Sequence, residues 1–166
     1  MAHFLSITLF PLMMIVAGAG DALSLRIPNW LSIAVAVTFF PMALATGMPL
    51  HTLAVHVAAG FGLFALGFSL FSLGLFGGGD AKLLAAAGLW LGWPDLVQFI
   101  VMTALAGGLL ALAICAYSLA ALSSELEKGS LFKRFFVLKP NVPYGYALAV
   151  GGILAFPGSW WMQVVA

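Results

Sequence analysis

The chain of 166 residues carries five carboxyl side chains, Asp21, Asp80, Asp95, Glu125 and Glu127. Asp21 closes one long apolar run and Asp80 opens another, while both glutamates sit in a polar stretch. Two carboxyls brought together in a poorly hydrated place cannot both ionise easily, so near neutral pH such a pair shares one proton. The ionised member can then draw a proton from water while the protonated one hydrogen-bonds a carbonyl oxygen. That is the chemistry of peptide hydrolysis by two acids. The plainer alternative is that each aspartate simply ends a helix at a polar boundary. Ionisable groups at or within a membrane are nonetheless functional candidates by default.

The neighbours of the two acids sharpen the comparison. Gly77-Gly78-Gly79-Asp80 is a G-x-G-D sequence, and glycines ahead of an acid permit unusual backbone angles and close approach by another chain. Without the acid it would read as a flexible turn between helices. The second cluster runs Asp21-Ala-Leu-Ser-Leu-Arg26-Ile27-Pro28-Asn29-Trp30. Pro28 and Asn29 suit a helix start, where a missing N–H costs nothing and a short polar side chain can cap. Trp30 suits a membrane interface. Those roles do not explain an acid at the end of an apolar helix.

What must position these groups is a membrane-embedded bundle. Hydrophobic residues make up 64% of the chain and charged residues 7%, with a mean hydropathy of +1.17. A soluble domain carries about 25% charged residues, so no water-facing surface can be built from this composition. Soluble enzymes, disordered chains and nucleic-acid binders with a basic face are excluded. Six Lys/Arg against five Asp/Glu imply no polyanionic partner. One cysteine, Cys115, excludes an internal disulfide framework and a cysteine-cluster zinc site.

Apolar runs lie at about 4–20, 30–46, 53–76, 81–93, 96–122 and 143–164, against the roughly 20 residues that a spanning helix needs. The expected architecture is all-α, a polytopic protein of six transmembrane helices in a single domain, 1–166. The fourth run is short: Ala81 to Trp93 rises only about 20 Å, so it either begins inside the membrane plane or extends back through the glycines. Ala17-Gly18-Ala19-Gly20 imitates a signal-peptide cleavage site, but the preceding segment lacks Lys and Arg, so the first run reads as a retained helix. With six crossings, Arg26, Lys82, Lys128, Lys133, Arg134 and Lys139 all fall on one side, and His3, His51 and Asp95 on the other. The positive-inside rule then puts both termini outside and the basic connections in the cytoplasm. Asp21 and Asp80 share the cytoplasmic edge, and Asp95 is on the wrong side to join them. The segment 123–142 is long enough for an extra cytoplasmic helix or hairpin.

Together the two acid clusters resemble the type IV prepilin peptidases, in which an aspartate is followed six residues later by Ile-Pro-Asn and a G-x-G-D motif opens a later helix. Here these are Asp21 with Ile27-Pro28-Asn29, and Gly77 to Asp80 continuing as Ala81-Lys82-Leu83. Val142-Pro143-Tyr144-Gly145 looks like the start of the last helix in small members. The resemblance runs from about residue 5 to 160. It implies an intramembrane aspartic endopeptidase of the bacterial inner membrane, cutting the cytoplasmic leader from prepilins and pseudopilins. By carry-over Asp21 and Asp80 are the catalytic pair; Gly77, Gly79, Lys82, Pro28, Asn29 and Tyr144 shape the site. The chain resembles the short members that accompany tight-adherence (Flp) pili, without the zinc-binding and methyltransferase domain of long members. No metal, zinc, S-adenosylmethionine or other cofactor is therefore expected.

Lys82 reads most simply as snorkelling to the headgroups, and Tyr144 as anchoring a helix end. His56 reads as hydrogen-bonded within the bundle, His3 and His51 as solvated, and Cys115 as a small buried hydrophobe. The Gly88–Gly92 G-x-x-x-G spacing carries little weight in a chain of 19 glycines. Glu125 and Glu127 could attract basic leader residues, with the nearby bases holding anionic lipid. Two rival readings remain at this level. One is a small transporter binding a proton or cation at Asp21 and Asp80; the other is a non-catalytic pilus-assembly or secretion protein.

Overall fold

The computed structural model describes residues 2–127 and 143–164, and side chains within 3–118 and 143–164. Among them there are only helices: α1 (Ala2–Ser24), α2 (Asn29–Ala45), α3 (Leu50–Ser72), α4 (Gly78–Glu127) and α5 (Tyr144–Ala155), then a 3₁₀ turn (Phe156–Gly158) and the short α6 (Trp160–Gln163). Prolines at 28, 49 and 143 set the starts of α2, α3 and α5, because their fixed φ is ready for a helix and they need no N–H partner.

Three stretches are long and apolar enough to cross a bilayer: His3–Ser24, Leu50–Ser72 and Gly78–Ser118. The shorter α2, at 17 residues, is also apolar. Large apolar side chains stand exposed along these helices, among them Leu12, Val37, Phe61 and Leu109, as expected where lipid rather than protein covers them. The chain is a membrane-embedded helical protein.

One expectation needs correction. The apolar run 143–164 is not one helix: α5 ends after 12 residues and the 3₁₀ turn and α6 follow. Pro157 and Gly158 in that turn interrupt the α-helical ladder. The runs 81–93 and 96–122 are two separate helical segments, as expected, and they meet at a break at Gly92 (φ 73°, ψ 172°). The fourth helix does extend back through the glycines, as far as Gly78. The helix of the sixth apolar run, α5, rises only about 18 Å, less than the hydrocarbon core. Residues 123–127 continue α4, and the rest of the segment expected to form a cytoplasmic helix or hairpin, with Lys128, Lys133, Arg134 and Lys139, lies outside the described residues.

The segment of α4 before Gly92 is the axis of the bundle, with α2 and α3 packed on it. The segment after Gly92 packs on α5, and α5 packs on α1. Close approaches fix the directions. Gly67 meets Ala81 and Gly88 meets Ala59, so α3 runs antiparallel to α4; Gly18 meets Ala149 and Gly152 meets Met14, so α1 and α5 are antiparallel too. The C-terminal end of α1 and the N-terminal ends of α2, α4 and α5 therefore share one end of the bundle. Gly88 and Gly92, given little weight above, are both used. Gly88 lets α3 come close, and Gly92 supplies the break.

At the opposite end a buried aromatic cluster closes the core. Trp90 donates its indole N–H to the Val35 carbonyl and Trp161 donates to the Trp90 carbonyl, each at 2.7 Å. Burying an indole is tolerable once its N–H has a partner. His56 is buried, with Nδ1 2.7 Å from the Leu89 carbonyl and its ring stacked on Phe39, matching its expected role in the bundle. Leu89 lies one turn before the break, where carbonyls lose their helical donors. A Cβ at Gly92 would lie 2.6 Å from His56 Nε2, in a left-handed backbone conformation. Gly92→Ala is therefore expected to cost about 2 kcal/mol or more, from strain and overpacking together. A lowered Tm in detergent, relative to wild type, is the check.

Candidate active site

Asp21 lies in the last turn of α1 and is 4% exposed. An acid there needs donors, and the first turn of α5 provides them. The backbone N–H of Tyr146 donates to Asp21 Oδ2 at 3.3 Å, with the Gly145 N–H beside it. The first N–H groups of any helix lack partners within it, so Asp21 caps α5 from another helix.

Asp80 is held by the same logic within its own helix. It sits in the first turn of α4 and accepts from the Gly77 N–H at 3.2 Å, while the Ala81 N–H bonds the Gly77 carbonyl. This is the carboxylate half of a capping box. A Cβ at Gly77 would lie 2.6 Å from Asp80 Oδ2, so the glycine lets the carboxyl fold back.

Ile27 joins the two acids. A Cβ on Gly79 would sit 3.0 Å from the Ile27 carbonyl oxygen, and one on Gly145 would sit 2.5 Å from Ile27 Cδ1. One buried side chain thus packs against both segments that hold the acids. Asp21 and Asp80 thus sit at one end of the bundle, on segments that share the Ile27 contact. Among the described residues, Oδ2 of Asp80 accepts from the Gly77 N–H and Oδ2 of Asp21 from the Tyr146 N–H.

The other expected site residues gather at the same end. Pro28 is the cap residue of α2 and makes no side-chain cap hydrogen bond. Asn29 does not cap, contrary to expectation: its Oδ1 accepts from Lys82 Nζ at 2.9 Å. That bond ties the first turn of α2 to the first turn of α4, so Lys82 does more than reach for headgroups. Tyr144 opens α5, its ring 5.3 Å from that of Phe76. Gly79 provides the close contact on Ile27.

Three contributors escaped the sequence reading: the Tyr146 N–H, Gly145 and Phe76. Gly145 stood in the Val142-Pro143-Tyr144-Gly145 match, but a backbone donor leaves no mark in side-chain chemistry. Asp95 faces the opposite end, lining a cavity of about 180 Å³ with His51, His56 and Trp160. Cys115 is exposed rather than buried, because it lies on α4 beyond the stretch packed on α5. Among the described residues, no three His, Cys, Asp or Glu side chains cluster as metal ligands.

Fold and site together define a membrane-embedded helical protein with two carboxyls held at one end of its bundle. Residues 8–112 match the model of the type IV leader peptidase family. The chain belongs to that family, and is a peptidase whose family implies prepilin-type substrates. Comparison with curated proteins and with solved structures finds no match.

Proposed function

We propose that this protein is an aspartic endopeptidase that removes the leader of Flp-type prepilins and pseudopilins, with Asp21 and Asp80 as its catalytic pair. The observation that carries this reading is the convergence of both carboxyls around Ile27, each held by a helix N-terminus. Water attacks the scissile carbonyl carbon. The ionised aspartate takes a proton from that water, and the protonated one gives its proton to the carbonyl oxygen. The tetrahedral intermediate collapses as the C–N bond breaks. The first acid then protonates the leaving nitrogen, and the second recovers the hydroxyl proton. A helical carbonyl is hydrogen-bonded and shielded, so the substrate must unwind where it is cut.

In this reading the chain makes six passes through a bacterial inner membrane. Both termini lie outside, and Asp21 and Asp80 face the cytoplasmic interface, the depth at which a leader joins its apolar helix. Co-expression with a prepilin from the same genome tests it. The expected result is a substrate shortened at one bond, read by mass and by its new N-terminus. An untrimmed substrate, for every native candidate, contradicts it.

The Lys82–Asn29 bond fixes the relative position of the two acid-bearing segments. Lys82→Met and Asn29→Ala are each expected to slow trimming about threefold to tenfold at unchanged protein level, the scale of one charge-assisted hydrogen bond. Asn29→Asp, which keeps an acceptor for Lys82, is expected to retain most of the rate. A time course of substrate mass distinguishes these outcomes.

A further inference from the structure

Two turns hold the two acids, and each carries an aromatic ring. Phe76 precedes Gly77, whose N–H bonds Asp80. Tyr144 precedes Gly145 and Tyr146, whose N–H groups face Asp21. The two rings are 5.3 Å apart, so an aromatic contact links the turns in addition to the Ile27 contact. Phe76 is packed against the core, while Tyr144 is 41% exposed.

The pair stands at the acid-bearing end of an apolar groove of about 250 Å³. Leu84, one turn beyond Asp80 on α4, lies in it. Leu66 of α3, Leu148 of α5 and Gly108 of the second α4 segment add to its lining. Leu66 and Ile100 are exposed, so the groove is open toward lipid. A Cβ on Gly108 would meet nothing within 4 Å, which leaves bare backbone that a peptide helix can approach closely. The bundle's own helices meet in this way at Gly18, Gly67 and Gly88. Neither of the other cavities touches both acid-holding turns. The groove between α2 and α3 meets α4 at Lys82, which is bonded to Asn29, and the cavity beside Asp95 lies at the opposite end.

We propose that Phe76 and Tyr144 form the specificity pocket of the peptidase, receiving the first apolar side chain after the scissile bond, with the start of the substrate's apolar helix laid in the groove beyond. This rests on the reading of Asp21 and Asp80 as the catalytic pair. A peptide bond held by both acids lies beside the two turns that carry the rings. From that bond the leader departs toward water and the apolar part toward the bilayer. The groove is the lipid-facing path that begins at both turns.

Two measurements on the full chain in vesicles test the proposal. The first is kcat/KM for prepilins with Ser, Leu, Phe or Trp directly after the cut. Wild type is expected to favour Leu or Phe over Ser at least tenfold, the scale of a few methylenes in an apolar pocket. Phe76→Ala enlarges the pocket, so the ratio of Trp to Leu should rise at least tenfold; a merely structural defect would slow all four substrates alike. The second is photocrosslinking in the Asp80→Asn background. The probe p-benzoylphenylalanine placed at Gly108 should capture uncut prepilin in the first turns of its apolar helix, and the same probe at Phe61, on the α2–α3 groove, should not. Equal trimming of the Ser and Leu substrates, an unchanged ratio in Phe76→Ala, or capture at Phe61 and not at Gly108 overturns the pocket while the peptidase reading stands. A wild type that trims none of the series overturns both.

Discussion

Asp21→Asn and Asp80→Asn are each expected to reduce leader removal by about a thousandfold or more, and the double variant to be no worse than either single one. The size follows from the roles. In the proposed reaction one acid supplies the base that activates water and the other the proton that the carbonyl oxygen takes, and such catalysis contributes about 10²–10⁴-fold. Residues that act as one unit lose nearly everything at the first substitution, which is why the double variant should add little. Asparagine keeps the shape and can still accept from the N–H of Gly77 or Tyr146. The loss would therefore report on proton chemistry and not on a collapsed loop. The same scheme requires a bell-shaped dependence on pH. At low pH both carboxyls are protonated and there is no base; at high pH both are ionised and there is no acid. Rates measured in vesicles across pH, at matched protein level, check both points. Independent, multiplicative losses would mean that the two acids do not work together.

The second large effect belongs to a residue with no functional group. Gly145→Ala would put a Cβ 2.8 Å from Asp21 Oδ2, 2.9 Å from Asp21 Cβ and 2.5 Å from Ile27 Cδ1. Neither neighbour is free to retreat. Asp21 is held by the first turn of α5, and Ile27 is wedged against the Gly79 segment. Relief requires α5 to move off α1, which takes the Tyr146 N–H away from the carboxyl. A loss of about 10- to 100-fold in trimming is expected, in line with the 1–3 kcal/mol that overpacking typically costs. Gly20→Ala, one residue before Asp21, is the control. A Cβ there meets nothing within 4 Å, and alanine favours a helix by about 1 kcal/mol over glycine. Activity should be preserved in that variant. Equal losses in the two variants would remove the packing argument.

The contrast between these two predictions shows what the sequence could carry. Asp21 and Asp80 were visible because a carboxyl at the end of an apolar run is rare and chemically loaded. Their arrival at one end of the bundle followed from counting helix reversals. Pro28 and the glycines before Asp80 were visible as helix starts, and both mark helix starts in the fold. Gly145 and the Tyr146 N–H were not visible as donors to Asp21, because the link is a backbone group on a helix more than a hundred residues away. Asn29 has the right type for a cap, but the partner that wins is Lys82, reached only once α2 and α4 are side by side. A break between the runs 81–93 and 96–122 was expected, but its position at Gly92 escaped for a similar reason. A glycine in an apolar run says nothing about backbone angle until His56 takes up the space beside it. Cys115 was misjudged because composition cannot separate a protein-facing wall from a lipid-facing one.

The central claim is that the two carboxyls activate water at a single peptide bond. The most direct test is a single-turnover reaction of the purified chain, in vesicles, with a prepilin in ¹⁸O-labelled water. The account predicts one labelled oxygen in the new C-terminal carboxyl of the released leader and no label in the enzyme. Label in the Asp21 or Asp80 carboxyl, which would mark a covalent acyl-enzyme, contradicts it, as does the absence of any cleavage.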